Sequence, residues 1–138
     1  MMNTLDMKDI MHLNLFSQIT RINTRFCLKY NETIIFCVPK NLLNKAVGEQ
    51  GKNVRRISES IGKRVRIIPV PRGLLDARGF ISTIVKPVTF KDFQINGNEI
   101  IITAGSQSKA ALIGRDKRRL IELQKISEDF FGKELKIV

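Results

Sequence analysis

Apolar positions along this chain fall into short blocks whose spacing changes between helical and extended. From about Leu5 to Phe16 they recur at roughly helical intervals, interrupted by Asp6, Lys8 and Asp9, which predicts a first helix. Arg25 to Lys29 and Thr33 to Val38 then read as two strands of a hairpin around Tyr30-Asn31-Glu32. Leu42, Leu43, Ala46 and Val47 fit one short helix face, and Val54, Ile57 and Ile61 fit another. Lys63 to Ile68 closes the block as a strand.

The same order of elements recurs about 66 residues on. Ile34-Ile35-Phe36 aligns with Ile100-Ile101-Ile102, Val47-Gly48 with Ile113-Gly114, and Lys52 with Arg118. Past the middle of the next helix the offset grows to about 70, with Ile61-Gly62-Lys63 on Phe131-Gly132-Lys133. Four added residues are about one helical turn, so the second copy has the longer last helix. In that copy Asp76 to Val85 predicts a helix, and Val88 to Ile95 pairs with Ile100 to Thr103 around Asn96-Gly97-Asn98. Ser106 to Ile113 and Lys117 to Phe131 form the helix pair, and Glu134 to Val138 the last strand. A period this long is not that of a solenoid. The pattern is α-β-β-α-α-β, twice. Pro69, Pro71 and Gly73 mark the join, giving domains 1–70 and 71–138 of an α+β protein.

Composition fits two small packed domains. Halves of about 70 residues lie near the lower limit for an independent core. Trp is absent, and no apolar run approaches the roughly 18 residues of a membrane-spanning helix. Asp6 and Asp9 stand where a signal peptide requires an apolar centre. The expectation is a soluble, cytoplasmic protein.

Charge changes the picture more. The formal net charge is +11, and basic residues gather around two glycine-containing loops. In the first copy these are Lys45, Lys52, Arg55 and Arg56, and in the second Lys109, Arg115, Lys117, Arg118 and Arg119. Such a field favours a polyanion, above all nucleic acid, over a merely solvated face or an acidic lipid or protein surface.

The first loop is Gly48-Glu49-Gln50-Gly51. Two glycines three apart allow a sharp turn and a close backbone approach, and a loop opening a helix offers free N–H groups to a phosphate. The second loop reads Gly114-Arg115-Asp116-Lys117, so Lys117 stands where the second glycine is expected.

Catalytic readings find no support. Gly51-Lys52 matches the end of a nucleotide-binding P-loop, but Ala46 and Asn53 occupy its first glycine and its Ser/Thr positions. His12 is the one histidine, Asp76 and Glu122 have no partner at a telling spacing, and Cys27 and Cys37 read as two buried thiols. No cofactor, metal or small-molecule substrate is expected, and the chain reads as a non-enzyme.

These motifs carry a resemblance. Ile34-Ile35-Phe36-Cys37-Val38, Ala46 to Ile57 and Gly62 to Ile67 resemble the tandem type II KH domains of the NusA family of transcription factors, in its short archaeal form. The resemblance implies two KH modules, each with a three-stranded mixed sheet packed by helices. It further implies that single-stranded RNA is held at Gly48, Glu49, Gln50 and Gly51, with Lys45, Lys52, Arg55 and Arg56 as countercharge. In the second copy the implied contacts are Gly114, Arg115, Asp116, Lys117 and Arg118. Glu49 departs from the basic residue common between such glycines. A Cβ at Lys117 is expected to narrow the approach of the RNA backbone; either its charge compensates, or the second copy is structural. Residues near Val47, Val54 and Ile67 read equally as groove floor or as core.

The implied role is regulation of transcription termination or antitermination, with RNA polymerase as a further partner. Two alternatives stay open at this stage. One is a ribosome- or RNA-processing-associated KH factor; the other is a basic module that docks on polymerase without clamping RNA. The residues do not give the preferred bases or the oligomeric state.

Overall fold

The computed structural model describes residues 5–138; the first four residues of the expected first domain lie outside them. Two compact units divide the chain between Val70 and Pro71. Each holds one three-stranded mixed sheet, so the architecture is α+β.

In the first unit, helix α1 (Met7–Thr20) starts two residues later and ends four residues later than its apolar spacing predicts. Its start is set by Asp6, whose carboxylate accepts from the Asp9 N–H at 2.8 Å, while Asp9 accepts from the Asp6 N–H at 3.2 Å. This reciprocal cap satisfies two donors that would otherwise be orphaned. The added turn at the other end brings Ile19 onto the core, and Thr20 bonds back to the Phe16 carbonyl at 2.8 Å. Arg21, in the left-handed conformation, stops the helix.

Strands β1 (Phe26–Tyr30) and β2 (Thr33–Val38) pair antiparallel from Tyr30↔Thr33 to Phe26↔Cys37. Asn31 and Glu32 between them both have positive φ, as a two-residue type I′ hairpin turn requires. The chain then crosses through α2 (Leu43–Val47) and α3 (Lys52–Ile61) and returns as β3 (Arg64–Pro69), parallel to β2. A parallel return needs such a helical crossover, and this crossover carries the first glycine loop. Phe16, Ile34, Phe36, Val38, Ile57, Val65 and Ile67 form the core, with Phe16 stacked on Phe36 at 4.5 Å between ring centroids.

Because side chains alternate along a strand, Cys27, opposite Phe36, faces this core, and Cys37 faces the other side of the sheet. The two thiols are therefore free and cannot bridge. Burial pushes the Cys27 thiol up to about 12, and the Cys37 thiol up by the same cause. His12, on α1, is half-buried; burial lowers its pKa and leaves Nδ1 without a hydrogen-bond partner.

The second unit repeats the order. A 3-10 turn at Leu74–Asp76 leads into α4 (Ala77–Val85). Asp76 has a partner that sequence spacing did not reveal. The Arg72 backbone N–H, Nε and Nη2 all donate to its carboxylate, at 2.9, 3.0 and 3.2 Å, because the turn folds residue i back on residue i+4. Strands β4 (Asp92–Asn96), β5 (Glu99–Thr103) and β6 (Glu134–Ile137) form the sheet, with β4–β5 antiparallel and β5–β6 parallel. Strand β4 begins four residues later than expected. Pro87 has no N–H to give a ladder, and the Val88 N–H is spent on the Val85 carbonyl at 3.0 Å. Helices α5 (Ser106–Ile113) and α6 (Arg118–Phe131) make the crossover. At 14 residues against 10 for α3, α6 carries the added turn that the shift in offset predicts.

Candidate nucleic-acid interface

Helix α2 ends at Gly48, whose N–H bonds to the Asn44 carbonyl at 3.0 Å. Its φ of 81° and ψ of 164° then throw the chain out of the helix. This region of backbone space is open essentially to glycine alone. Gln50 (φ 55°, ψ 29°) and Gly51 (φ 74°, ψ 20°) follow in the left-handed conformation, and Lys52 begins α3. The Gly51 N–H bonds to the Gly48 carbonyl at 3.1 Å, and the Lys52 N–H to that of Glu49. The N–H groups of Glu49 and Gln50 stay outside the loop's own hydrogen bonds. Successive amides in such a turn form a concave donor surface suited to an anion.

The second loop follows the same path. Gly114 has φ 73° and ψ 174°, Asp116 φ 56° and ψ 28°, and Lys117 φ 60° and ψ 21°. Its hydrogen bonds match one for one: Gly114 N–H to Ala110 at 2.9 Å, Lys117 N–H to Gly114 at 3.2 Å, and Arg118 N–H to Arg115. Lys117 accepts a left-handed conformation that costs a residue with a Cβ about 1–2 kcal/mol. The altered residue changes what the loop carries and leaves its backbone path intact.

The two glycine positions have different physical duties. A Cβ on Gly48 would lie 2.9 Å from Cγ and 3.0 Å from the backbone N of Asn53. One on Gly114 would lie 2.6 Å from Cγ of Arg119, the residue aligned with Asn53. At Gly51 the nearest atom is Nη1 of Arg55, at 3.6 Å. The first glycine is demanded by the protein itself, whereas the second position has room, and Lys117 uses it.

Side chains brace the first loop from α3. Asn53 Nδ2 donates to the Lys45 carbonyl at 3.3 Å, tying α3 to the last turn of α2. Arg55 Nη1 donates to the carbonyl of Gln50 within the loop. Sequence reasoning cast Arg55 as countercharge; its geometry also makes it a strut. Asn53 was missed because its contact with Gly48 is made through space. The alignment of Asn53 with Arg119, each five residues after the first glycine, was the available signal. Arg119 packs over Gly114 and has a buried Nε without a hydrogen-bond partner.

Lys45, Glu49, Gln50, Lys52, Arg55 and Arg56 are exposed, as are Arg115, Asp116, Lys117 and Arg118; Gly48, Gly51 and Gly114 are half-buried. The two copies place their charge differently. Around the first loop the cations stand on the flanking helices, and the aligned positions in the second copy hold Ala111 for Lys45, Ile121 for Arg55 and Glu122 for Arg56. The second loop carries Arg115 and Lys117 within the turn itself. Val47 and Val54 pack against the first core, and Ile67 is a buried member of it.

Fold and loops together define a small α+β protein with a repeated, cation-rich helix–loop–helix crossover. No protein-family model matches the chain. It is similar to three curated archaeal proteins named probable transcription termination protein NusA. Identity is 28% over 122 residues with that of Methanococcus vannielii and 27% over 123 residues with that of Methanocaldococcus jannaschii. Each match covers 86% of this chain, and 68% and 66% of the respective relative, so the chain spans about two thirds of their length. The protein of Halococcus morrhuae is 23% identical over 131 residues, covering 93% of this chain and 92% of the relative. The chain is thus NusA-like, of the archaeal kind. The crystal structure of APE1850 shares the fold, with a TM-score of 0.62 at 19% identity, covering 97% of this chain and all of that one. Among the described residues no helix is long and apolar enough to cross a membrane.

Proposed function

We propose that this chain is a tandem of two type II KH domains, 1–70 and 71–138, that binds single-stranded RNA and acts in transcription termination or antitermination. The observation that carries the reading is the agreement of the two crossover loops, residues 48–51 and 114–117, in backbone path and hydrogen bonding. Each leaves amide N–H groups outside its own hydrogen bonds and among exposed cations, which suits the sugar-phosphate backbone of a single strand. Similarity to the archaeal proteins named NusA supports the transcriptional role and a cytoplasmic location, and RNA polymerase is the protein partner the likeness suggests. The reading needs no catalytic residue or cofactor.

The RNA contacts of the first copy are Gly48, Glu49, Gln50 and Gly51, with Lys45, Lys52 and Arg56 supplying charge and Arg55 holding the loop. Those of the second are Gly114, Arg115, Asp116, Lys117 and Arg118. Glu49 is exposed and repels phosphate, and its cationic neighbours outweigh it.

Fluorescence anisotropy with a mixed-sequence single-stranded RNA about a dozen nucleotides long tests the reading. The informative variant is Gly51→Asp, because Gly51 has room for a side chain and Asp tolerates the left-handed conformation. Binding by the native protein and its loss in this variant, with the fold retained, is the expected result. Equal binding by both would remove the first loop from the interface.

A further inference from the structure

We infer a third RNA contact, remote in sequence from either loop: a strip between α4 and the edge strand β4 that stacks an unpaired base on Phe90 and Phe93. The inference rests on the RNA-binding reading, and its test separates the two.

The strip exists because the two copies cover their edge strands unequally. In the first unit the 14-residue α1 lies over the sheet, and Cys27 on β1 is 4% exposed. In the second unit α4 has 9 residues. Phe93 aligns with Cys27 and pairs in register with the fully buried Ile102, so it points to the helix-packed face. There it is only half-buried, and Ile95, two residues on, is 40% exposed. Phe90 joins Phe93 at 6.0 Å between centroids and 34° between planes. The Arg78 guanidinium lies 5.9 Å from the Phe90 centroid, completing a cation–ring–ring series.

Charge decides the occupant. Arg78, Lys86 and Lys91 are all exposed around the strip. Asp92 beside them accepts a hydrogen bond from Gln94 Nε2 at 3.1 Å and keeps its charge, so Arg78, Lys86, Lys91 and Asp92 together carry a net +2. An apolar protein segment would gain nothing from three cations, whereas a single-stranded nucleic acid offers a π-face for the rings and phosphates for the cations. Elsewhere most of the chain's aromatic rings, Phe16, Tyr30, Phe36, Phe80 and Phe130, are buried, so ring surface of this kind is scarce.

The chain contains no Trp, so Phe90→Trp installs a single fluorescent reporter at the site. Titration with a mixed-sequence single-stranded RNA of about a dozen nucleotides should quench its emission, since a stacked base quenches indole. Inorganic polyphosphate, which has charge without bases, should bind without quenching. Phe90→Leu should weaken RNA binding measured by anisotropy roughly 5- to 150-fold, the usual span for losing one stacked base, whereas Arg78→Gln should weaken it several-fold and lower the salt slope by about 0.7. Arg78→Gln changes an exposed side chain and keeps the test valid if the aromatic variants misfold. Undiminished RNA binding without quenching would overturn the strip, leave the loop reading standing, and hand this surface to a protein partner. Quenching by polyphosphate as well would overturn stacking in favour of a charge-driven change. Failure of the native protein to bind RNA would overturn both readings at once.

Discussion

Asn53 stands against the α-carbon of Gly48, close enough that a single methyl group between them would meet its Cγ at 2.9 Å. Arg119 holds the same position against Gly114, at 2.6 Å. The first glycine of each loop is thus fixed by the residue five positions later, before any ligand is considered.

Gly48→Ala is therefore expected to destabilise the first unit by about 1–3 kcal/mol, combining a glycine-only backbone with a steric conflict. Gly51→Asn should cost less than about 1 kcal/mol, because Asn tolerates the left-handed region and nothing crowds its Cβ. Urea denaturation of the two variants measures the difference. Equal losses would mean that Asn53 yields more easily than its two backbone and side-chain contacts imply.

Lys117→Gly separates conformation from charge in the second loop. Relief of left-handed strain, about 1–2 kcal/mol, is offset by about half through the greater freedom glycine gives the unfolded chain, about 0.4–1 kcal/mol. Stability should rise by about 0.5–1 kcal/mol. If the second loop binds single-stranded RNA, the slope of log affinity against log salt should fall by about 0.7, the share of one phosphate contact. An unchanged slope would assign Lys117 no phosphate.

Arg55 and Arg56 should respond differently to the same change. Arg55 donates to the Gln50 carbonyl and props the loop, whereas Arg56 is simply exposed. Lysine keeps the charge and loses the planar fork. Arg55→Lys is expected to weaken RNA binding several-fold more than Arg56→Lys, at little cost in salt slope. Equal effects in an anisotropy titration would reduce Arg55 to a point charge.

The cysteines provide a check by pH. Burial raises the folded Cys27 thiol to about 12 from an unfolded value of 9.0, and Cys37 shifts the same way. A group raised in this manner adds stability that is complete below the unfolded value and declines as pH climbs from about 9 towards the folded one. Thermal unfolding between pH 8 and pH 11 should show that decline, and changing both residues to Ala should flatten it. At pH 8 iodoacetamide should alkylate either thiol only after denaturant is added.

Much of this could be read from the residues because the controlling interactions are local. Hairpin turns, helix-ending glycines and the four-residue lengthening of α6 are all set within a few positions. The start of β4 escaped, since Val88 to Phe90 have strand-like composition, and only the Val88 bond to Val85 reveals a turn. The end of α1 escaped because Ser17, Gln18 and Thr20 look like loop, whereas Ile19 is held by a core that no linear pattern displays. At the loops, sequence named the residues and their charge. It missed the Asn53 and Arg55 contacts, which form across the turn, and it did not reveal that Lys117 holds the same left-handed backbone as Gly51.

The agreement of the two loops makes the tetrapeptides 48–51 and 114–117 exchangeable parts. The scaffold prescribes their dihedral angles, demands glycine at the leading position, and holds the third and fourth places in the left-handed region, where Gln50, Asp116 and Lys117 carry side chains at a modest cost. Moving Arg115 and Lys117 chemistry into the first copy, or Gln50 and Gly51 into the second, should rewrite which half of the molecule grips harder without redrawing either turn. Duplication of such a module gives a lineage one copy to hold constant and one on which to experiment.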